Sequence, residues 1–313
     1  MDVSSALSLL QTAAELGLIS SLTVLSLFLS YSMLNVCDLS TDGCFTLGAV
    51  VGAMVAVSGH PLLSIPAAMA AGVLSGFVTA FLQTKMGIDS LLAGIIVNTG
   101  LYSVNIAAMG STSLVNLNFT ETVFTKLEAA LENTPFAGQY KLIIALAAVI
   151  LVVLFLSFFL KTNLGLALRA TGNNPDMVRS SSVNTATITI IGLCISNSFT
   201  ALSGCLLAQS QKSANIDMGT GMVTIALASL LIGGILFSKR RGIAVRAVCS
   251  VVGALIFRLV YTAALRFNMP AYMLKLVSSV IVIIAISAPY LKKQLPKLKR
   301  RLELRKKKEV SKV

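Results

Sequence analysis

Five polar side chains could do chemistry within an otherwise apolar chain: Asp38, Asp42, Asn98, Asn197 and Asp217. Each lies in or beside a long hydrophobic block. A charged group inside a bilayer costs at least about 2.5–3.5 kcal/mol and usually marks an ion or solute pathway. The competing reading is local. Ser40-Thr41-Asp42 stands directly before a helical run, where such residues satisfy the free N–H groups of a helix start, so Asp42 reads as a cap. Asp38 stays open between cap and pathway, and Asn98, Asn105 and Asn197 suit hydrogen bonds between helices better than solute contacts. A second polar cluster is Asn163-Leu-Gly-Leu-Ala-Leu-Arg-Ala-Thr-Gly-Asn-Asn-Pro-Asp-Met177, with Arg169, Asp176 and nearby Arg179. Neither set makes a catalytic or metal site. The chain carries no HExxH, no Gly-x-Ser-x-Gly, no Walker A run and no His/Cys cluster. Its five cysteines show no CxxC and stand in apolar surroundings, as small core residues do. No cofactor or ATP site is expected on this chain.

The elements that must position these residues are membrane helices. Of 313 residues 56% are hydrophobic and 12% charged, with no Trp and one His, His60. A soluble domain carries about 25% charged residues. The apolar blocks are continuous and long enough to cross a bilayer, for which about 20 helical residues suffice. In hydrocarbon every backbone polar group must pair internally, which leaves helices or closed barrels. The expected fold is therefore all-α and polytopic, with about nine (8–10) spans near 14–36, 42–59, 62–84, 88–110, 139–160, 183–209, 220–238, 243–264 and 271–291. Residues 1–291 form the membrane domain and 292–313 a basic tail.

Charge sets the orientation. The net charge is +13, no Lys or Arg precedes Lys85, and eleven of the 25 follow residue 291. That run continues directly from the last hydrophobic block, so it reads as a cytoplasmic tail beside anionic lipid and not as a nucleic-acid site. Lys85, segment 161–182, Lys239-Arg-Arg241 and the tail share one parity. That parity puts the C-terminus in the cytoplasm, the N-terminus outside and the acidic loop 111–138 outside. The N-terminus has no basic region ahead of its first apolar run and reads as a membrane helix, not a removable signal peptide.

Two hydrophobic regions break in related ways. One runs Asn35-Val-Cys-Asp38-Leu-Ser-Thr-Asp42-Gly43-Cys-Phe-Thr46, the other Asn215-Ile-Asp217-Met-Gly-Thr-Gly221-Met-Val-Thr224. By parity the first faces the cytoplasm and the second faces outside, as in an inverted repeat with interrupted helices near a pathway. Gly48-x-x-x-Gly52, Gly72-x-x-x-Gly76 and Gly94 through Gly100 are close-packing patterns that let helix backbones approach.

The segment Thr162-Asn-Leu-Gly165-Leu-Ala-Leu-Arg169-Ala-Thr-Gly172-Asn173-Asn174-Pro175 resembles the cytoplasmic Gly-x-x-x-Arg-Ala-x-Gly-x-Asn-Pro motif of ABC importer permeases, in the branched-chain amino acid and ribose permease family. Asp38-Leu-Ser-x-Asp-Gly-x-Phe-x-Leu-Gly-Ala49 is similar to a subgroup of tryptophan/tyrosine or uncharacterised permeases, and Leu230-Leu-Ile-Gly-Gly234 resembles a downstream helix of the family. Together the matches span about residues 20–240. Asp176-Met-Val-Arg179-Ser-Ser-Ser182 departs from the Ala and Ser-Gly common in the family at that point.

The resemblance implies the non-enzymatic permease subunit of an ABC uptake system in the bacterial cytoplasmic membrane. Its partners would be ABC ATPase subunits that bind the ATP, a second permease copy as a homodimer, and an external substrate-binding protein. Gly165, Arg169, Gly172, Asn173, Asn174, Pro175 and Asp176 would form the ATPase-coupling loop, a turn followed by a short helix that seats in a groove of the ATPase. Gly165 and Gly172 would allow a bend and close approach. The subgroup suggests an amino acid, aromatic or branched-chain, as solute. The alternatives are an ion-gradient secondary transporter, or an ABC permease for a sugar or nucleoside.

Overall fold

The computed structural model describes residues 3–131, 137–236 and 242–265, together with 276, 278–284 and 287. The helices in chain order are α1 (Val3–Leu27), prolonged by a π-helical turn (Phe28–Met33), α2 (Thr41–Val57), α3 (Ser64–Thr84) and α4 (Ser90–Ala108). Then come β1 (Leu114–Asn116), α5 (Val123–Leu131), α6 (Tyr140–Phe159), α7 (Asn163–Asn173), α8 (Pro175–Ser180) and α9 (Thr185–Gln211). The described chain continues with β2 (Ser213–Asn215), α10 (Met222–Leu236) and α11 (Ile243–Leu265).

Six of the described segments are long and apolar enough to cross a membrane: Leu9–Met33, Pro61–Thr84, Ser90–Ala108, Tyr140–Phe159, Thr185–Gln211 and Ile243–Ala264. Two further apolar helices, Thr41–Val57 and Met222–Ile235, are shorter. The chain is thus a polytopic helical membrane protein, and eight of the nine expected spans coincide with helices. Of the ninth only 276, 278–284 and 287 are described, all helical. Lys239-Arg-Arg241 and the 292–313 tail lie outside the described residues.

The central element is α9. Serine and threonine hydroxyls stitch it to α1: Ser203 Oγ donates to Ile19 O at 2.7 Å, Ser196 Oγ to Ser26 O at 2.9 Å, and Thr200 Oγ1 to Ser26 Oγ at 2.7 Å. The pairing of 19 with 203 and 26 with 196 makes the two helices antiparallel. On its other sides α9 takes the glycine faces of α2 and α3. Gly48 lies on Ala201, Gly52 on Cys205, Gly72 on Asn197 and Ala201, and Gly76 on Leu193 and Cys194. Both small-residue motifs therefore grip the same helix, from two directions. Between apolar helices in lipid, where burial alone gains little, such backbone approach provides the packing energy.

The directions follow from these contacts. α2 is parallel to α9, since 48 meets 201 and 52 meets 205. α11 is antiparallel to α1, with Arg246 Nη2 on Ser32 Oγ and Arg258 Nε on Ser20 Oγ. α10 is antiparallel to α11, with Gly233 on Cys249 and Gly253 on Ser229. The two short helices α2 and α10 therefore run in opposite directions.

The 111–138 loop carries secondary structure. β1 pairs antiparallel with β2, Leu114 opposite Asn215 and Asn116 opposite Ser213, so a small sheet interrupts the all-α plan. It fixes the start of the second break, and Gln209 Oε1 ties the head of α5 to α9 through Val123 N.

A side chain at Gly72 would collide with the carbonyl of Asn197 and the methyl of Ala201, whereas Gly100 faces nothing within 4 Å. Gly72→Val is expected to lower stability by about 1–3 kcal/mol. Gly100→Ala should change it by less than about 0.5 kcal/mol. Thermal unfolding of the detergent-solubilised chain measures both.

Candidate functional site

The two breaks meet inside the bundle. After the π-turn the chain leaves the helix at Leu34, with Asn35 in the left-handed region at φ 58°, a conformation that Asn tolerates better than most residues. It then runs irregularly, through a turn at 39–40, to α2. Asp38, 1% exposed, closes this stretch. Its Oδ1 accepts from Ser40 N at 2.8 Å and Ser40 Oγ at 2.6 Å, and its Oδ2 accepts from Asn197 Nδ2 at 2.8 Å. The carboxylate thus organises the turn before α2 and joins it to the middle of α9.

Asp42 does not cap its own helix, as its place after Ser40-Thr41 suggested. Its Oδ2 accepts from Gly221 N at 2.9 Å and its Oδ1 from Val223 N at 2.8 Å, so it caps α10. The local pattern was right about the chemistry and silent about which helix start would arrive there. Thr46 Oγ1 accepts from Gly219 N at 3.1 Å, and Gly219 lies against the Asp42 carbonyl with no room for a side chain. The breaks had been expected on opposite faces. Their helix starts instead abut, and α2 and α10 diverge from the contact.

Two buried amide oxygens beside this junction, Asn197 Oδ1 and Asn105 Oδ1, have no hydrogen-bond partner. Asn105 Nδ2 donates to Gly43 O at 3.2 Å, and half-buried Asn98 points its Oδ1 at Gly43. Around them α4 leaves Thr99, Tyr102 and Ser103 exposed in mid-helix. Asp217 stands apart from the cluster, exposed in the turn after β2, where its backbone N–H donates to Asn215 Oδ1.

The 163–177 segment is a helix pair. Thr162 Oγ1 accepts from Gly165 N at 3.3 Å and starts α7. Asn174 Oδ1 accepts from Met177 N at 3.1 Å and starts α8, with Pro175 at its first position and Asp176 in its first turn. Those residue types suit a helix start, since Pro lacks the unneeded N–H and the macrodipole favours an acid. Gly165 and Gly172 sit within α7 and make no bend. They serve close approach alone: Gly165 rests on Phe159 and Leu160, and Gly172 on the backbone of Met33 and Leu34. α7 is thereby pressed against the first break, four residues before Asp38. Asn173, Asn174, Pro175 and Asp176 are exposed, Arg169 is half-buried, and Arg179 lies 3.6 Å from Asp176.

Residues 9–286 match the family model described as branched-chain amino acid transport system / permease component. The chain belongs to that permease family. It is 33% identical over 298 residues to a tyrosine transport system permease protein of Clostridioides difficile, covering 94% of this chain and 96% of the relative. It is 35% identical to an uncharacterised protein of Rickettsia prowazekii, over 74% of this chain and 79% of that one. A ribose import permease protein of Escherichia coli is 26% identical over 80% of this chain and 75% of its own length. No solved structure matches the chain.

The permease is an ABC-type transport component and not an enzyme. Several of its notable side chains were not singled out from sequence. Thr99, Tyr102 and Ser103 on α4 are ordinary residues until their exposure is seen. Leu164, Leu166 and Met177 are apolar and 48–57% exposed on the α7–α8 pair. A large apolar side chain on an otherwise polar segment was the available signal for Met177.

Asp42→Ala removes the acceptor for two amides of α10 and should cost about 1–2 kcal/mol; Asp42→Asn, which keeps one acceptor, should cost less. Hydrogen exchange at the amides of Gly221 and Val223 should accelerate in the same order. Unchanged exchange at both amides would show that the carboxylate does not hold them.

Proposed function

We propose that this permease is the membrane-spanning subunit of an ABC importer in a bacterial cytoplasmic membrane, carrying an amino acid of the aromatic or branched-chain class. A separate ATPase would dock on α8 and the exposed edge of α7. A binding protein would deliver the solute from outside, and a second copy of the chain would complete the pathway. The C-terminus and the α7–α8 pair would face the cytoplasm, with β1, α5 and the N-terminus outside.

The observation that carries this reading is the seat of Gly172 on Met33 and Leu34. It joins an exposed, apolar-tipped helix pair to the break that holds Asp38. A push on α8 is passed through backbone contact to the junction of α2 and α10. Half-helices that start inside a membrane present their positive ends there, a site suited to the carboxylate of a solute or to ordered water. The orphaned oxygens of Asn197 and Asn105 add hydrogen-bond acceptors for an ammonium group. α4 exposes Thr99, Tyr102 and Ser103 among Leu92, Ile95, Ile96 and Val104, a mixed surface that suits contact with a second copy. Asp38 already accepts three hydrogen bonds from neutral donors, which leaves its oxygens little capacity to bind a coupling ion.

The relative named for tyrosine supports an amino acid over the more distant sugar permeases. Titration of the cognate binding protein with tyrosine, leucine and ribose decides between them, and binding of ribose alone would overturn the solute class. For coupling, Met177→Asp should weaken ATPase association by about tenfold or more, equal to about 1.4 kcal/mol, and abolish ATP-driven uptake in proteoliposomes. Phe119→Asp, on the opposite end of the fold, should leave association unchanged. Equal association of the Met177 variant and the unmodified chain would refute the docking surface.

A further inference from the structure

On the side of α9 away from Asp38, α6 stands off from α3 and α9 and leaves a cavity of about 610 Å³. Its walls are almost wholly apolar: Met69 from α3, Leu127 from α5, Leu151 and Phe155 from α6, Phe199 and Leu202 from α9. The one polar wall residue among the described ones, Ser198, spends its hydroxyl on Ile195 O at 2.7 Å and offers nothing to a polar guest. Leu151 and Phe155 are 68% and 44% exposed, so the groove opens sideways, towards the lipid. Its lining runs from Ile143 to Phe155 on α6 and from Ile195 to Leu206 on α9. At a rise of 1.5 Å per residue that is about 17 Å, close to the roughly 15 Å depth of one leaflet's hydrocarbon.

One end of the groove is apolar. The other carries charge of both signs where α5 crosses the head of α6. α5 is amphipathic there: Phe124 is buried, Leu127 faces the groove, and Lys126 and Glu128 are exposed. Lys141 Nζ reaches Ser210 O at 3.3 Å, and Tyr140 opens α6 in the manner of interfacial aromatics. A helix of this kind lies in the plane of a membrane surface.

We propose that this groove is a phospholipid site, in which one acyl chain lies between α6 and α9 and a zwitterionic headgroup rests on the α5–α6 rim. Lys141 meets the phosphate, joined by Lys126, which pairs with Glu121 at 3.7 Å when no headgroup is bound, and Glu128 meets the ammonium. Apolar cavities large enough for a guest take apolar ones, and hydrocarbon restores the dispersion contacts that the gap withholds from α6 and α9. The chain occupies the outer side of α9, the helix whose inner side holds Asp38 through Asn197. Occupancy therefore braces the element that fixes the first break.

The test reconstitutes the full chain in phosphatidylethanolamine vesicles containing a trace of the same lipid with a photoreactive group in mid-chain. Labelling should concentrate on Leu151, Phe155, Phe199 and Leu202, well above Leu74 and Phe77 on the outward faces of α3. Ala148→Phe, which fills the groove, should bring it down to the level of those faces. Should that variant fail to fold, mass spectrometry of the detergent-purified chain decides instead, with one retained phospholipid expected. Even labelling of groove and outward faces, or a chain released lipid-free, overturns the proposal. So does a disulfide between two copies of Leu151→Cys, which would put a second copy in the groove, or protection of the groove by added tyrosine. Phosphatidylglycerol in place of phosphatidylethanolamine should label the groove less, and stronger labelling would overturn the headgroup assignment.

Discussion

A helix that begins inside a membrane leaves several backbone N–H groups without partners, in a solvent that cannot supply any. This permease has two such starts, at α2 and α10, and brings them together. The Asp42 carboxylate of one helix binds the first amides of the other, and Asp38 binds the turn that precedes α2. Both acids lie beside these helix starts, where backbone N–H groups that would otherwise be free donate to their oxygens. Among the described residues the ion pairs are two, Lys126 with Glu121 and Arg179 with Asp176, and neither belongs to this junction.

The other features of the bundle follow from holding that junction still. Asn197 must sit in the middle of α9 to reach Asp38, and α9 must be fixed for Asn197 to be placed. Four glycines of α2 and α3 and three hydroxyls between α9 and α1 do this. The sheet of β1 with β2 anchors the second break from one side, and Gly172 under Met33 and Leu34 anchors the first from the other. The arrangement is closely packed along α9 and meets the exposed α7–α8 pair through Gly172. That combination suits a device in which a partner moves a buried site from a distance.

Much of this was legible in the residues. Continuous apolar runs of about 20 residues place the spans, because hydrocarbon admits helices and little else. The Gly-x-x-x-Gly pairs announced close approach, and Asn174-Pro175-Asp176 announced a helix start, since both depend on local chemistry. What could not be read was long-range. Ser40-Thr41-Asp42 has the composition of a cap, but only the fold shows that the helix it caps lies some 180 residues on. Gly172 lies in the last turn of α7, where a carbonyl from another segment leaves no room for a side chain. The exposure of Thr99 on α4 and the groove beside α6 depend on how the neighbouring helices pack. Nothing in Thr99 or Leu151 themselves tells of that.

If a partner docks at α8 as proposed, its binding is felt at the junction of α2 and α10. Hydrogen exchange of the permease, alone and bound to its ATPase with a non-hydrolysable nucleotide, reads this most directly. Protection should change at residues 34–40 and at the amides of Gly221 and Val223, as well as at 174–180. A change confined to 174–180, with 34–40 and 221–223 untouched, would contradict the account.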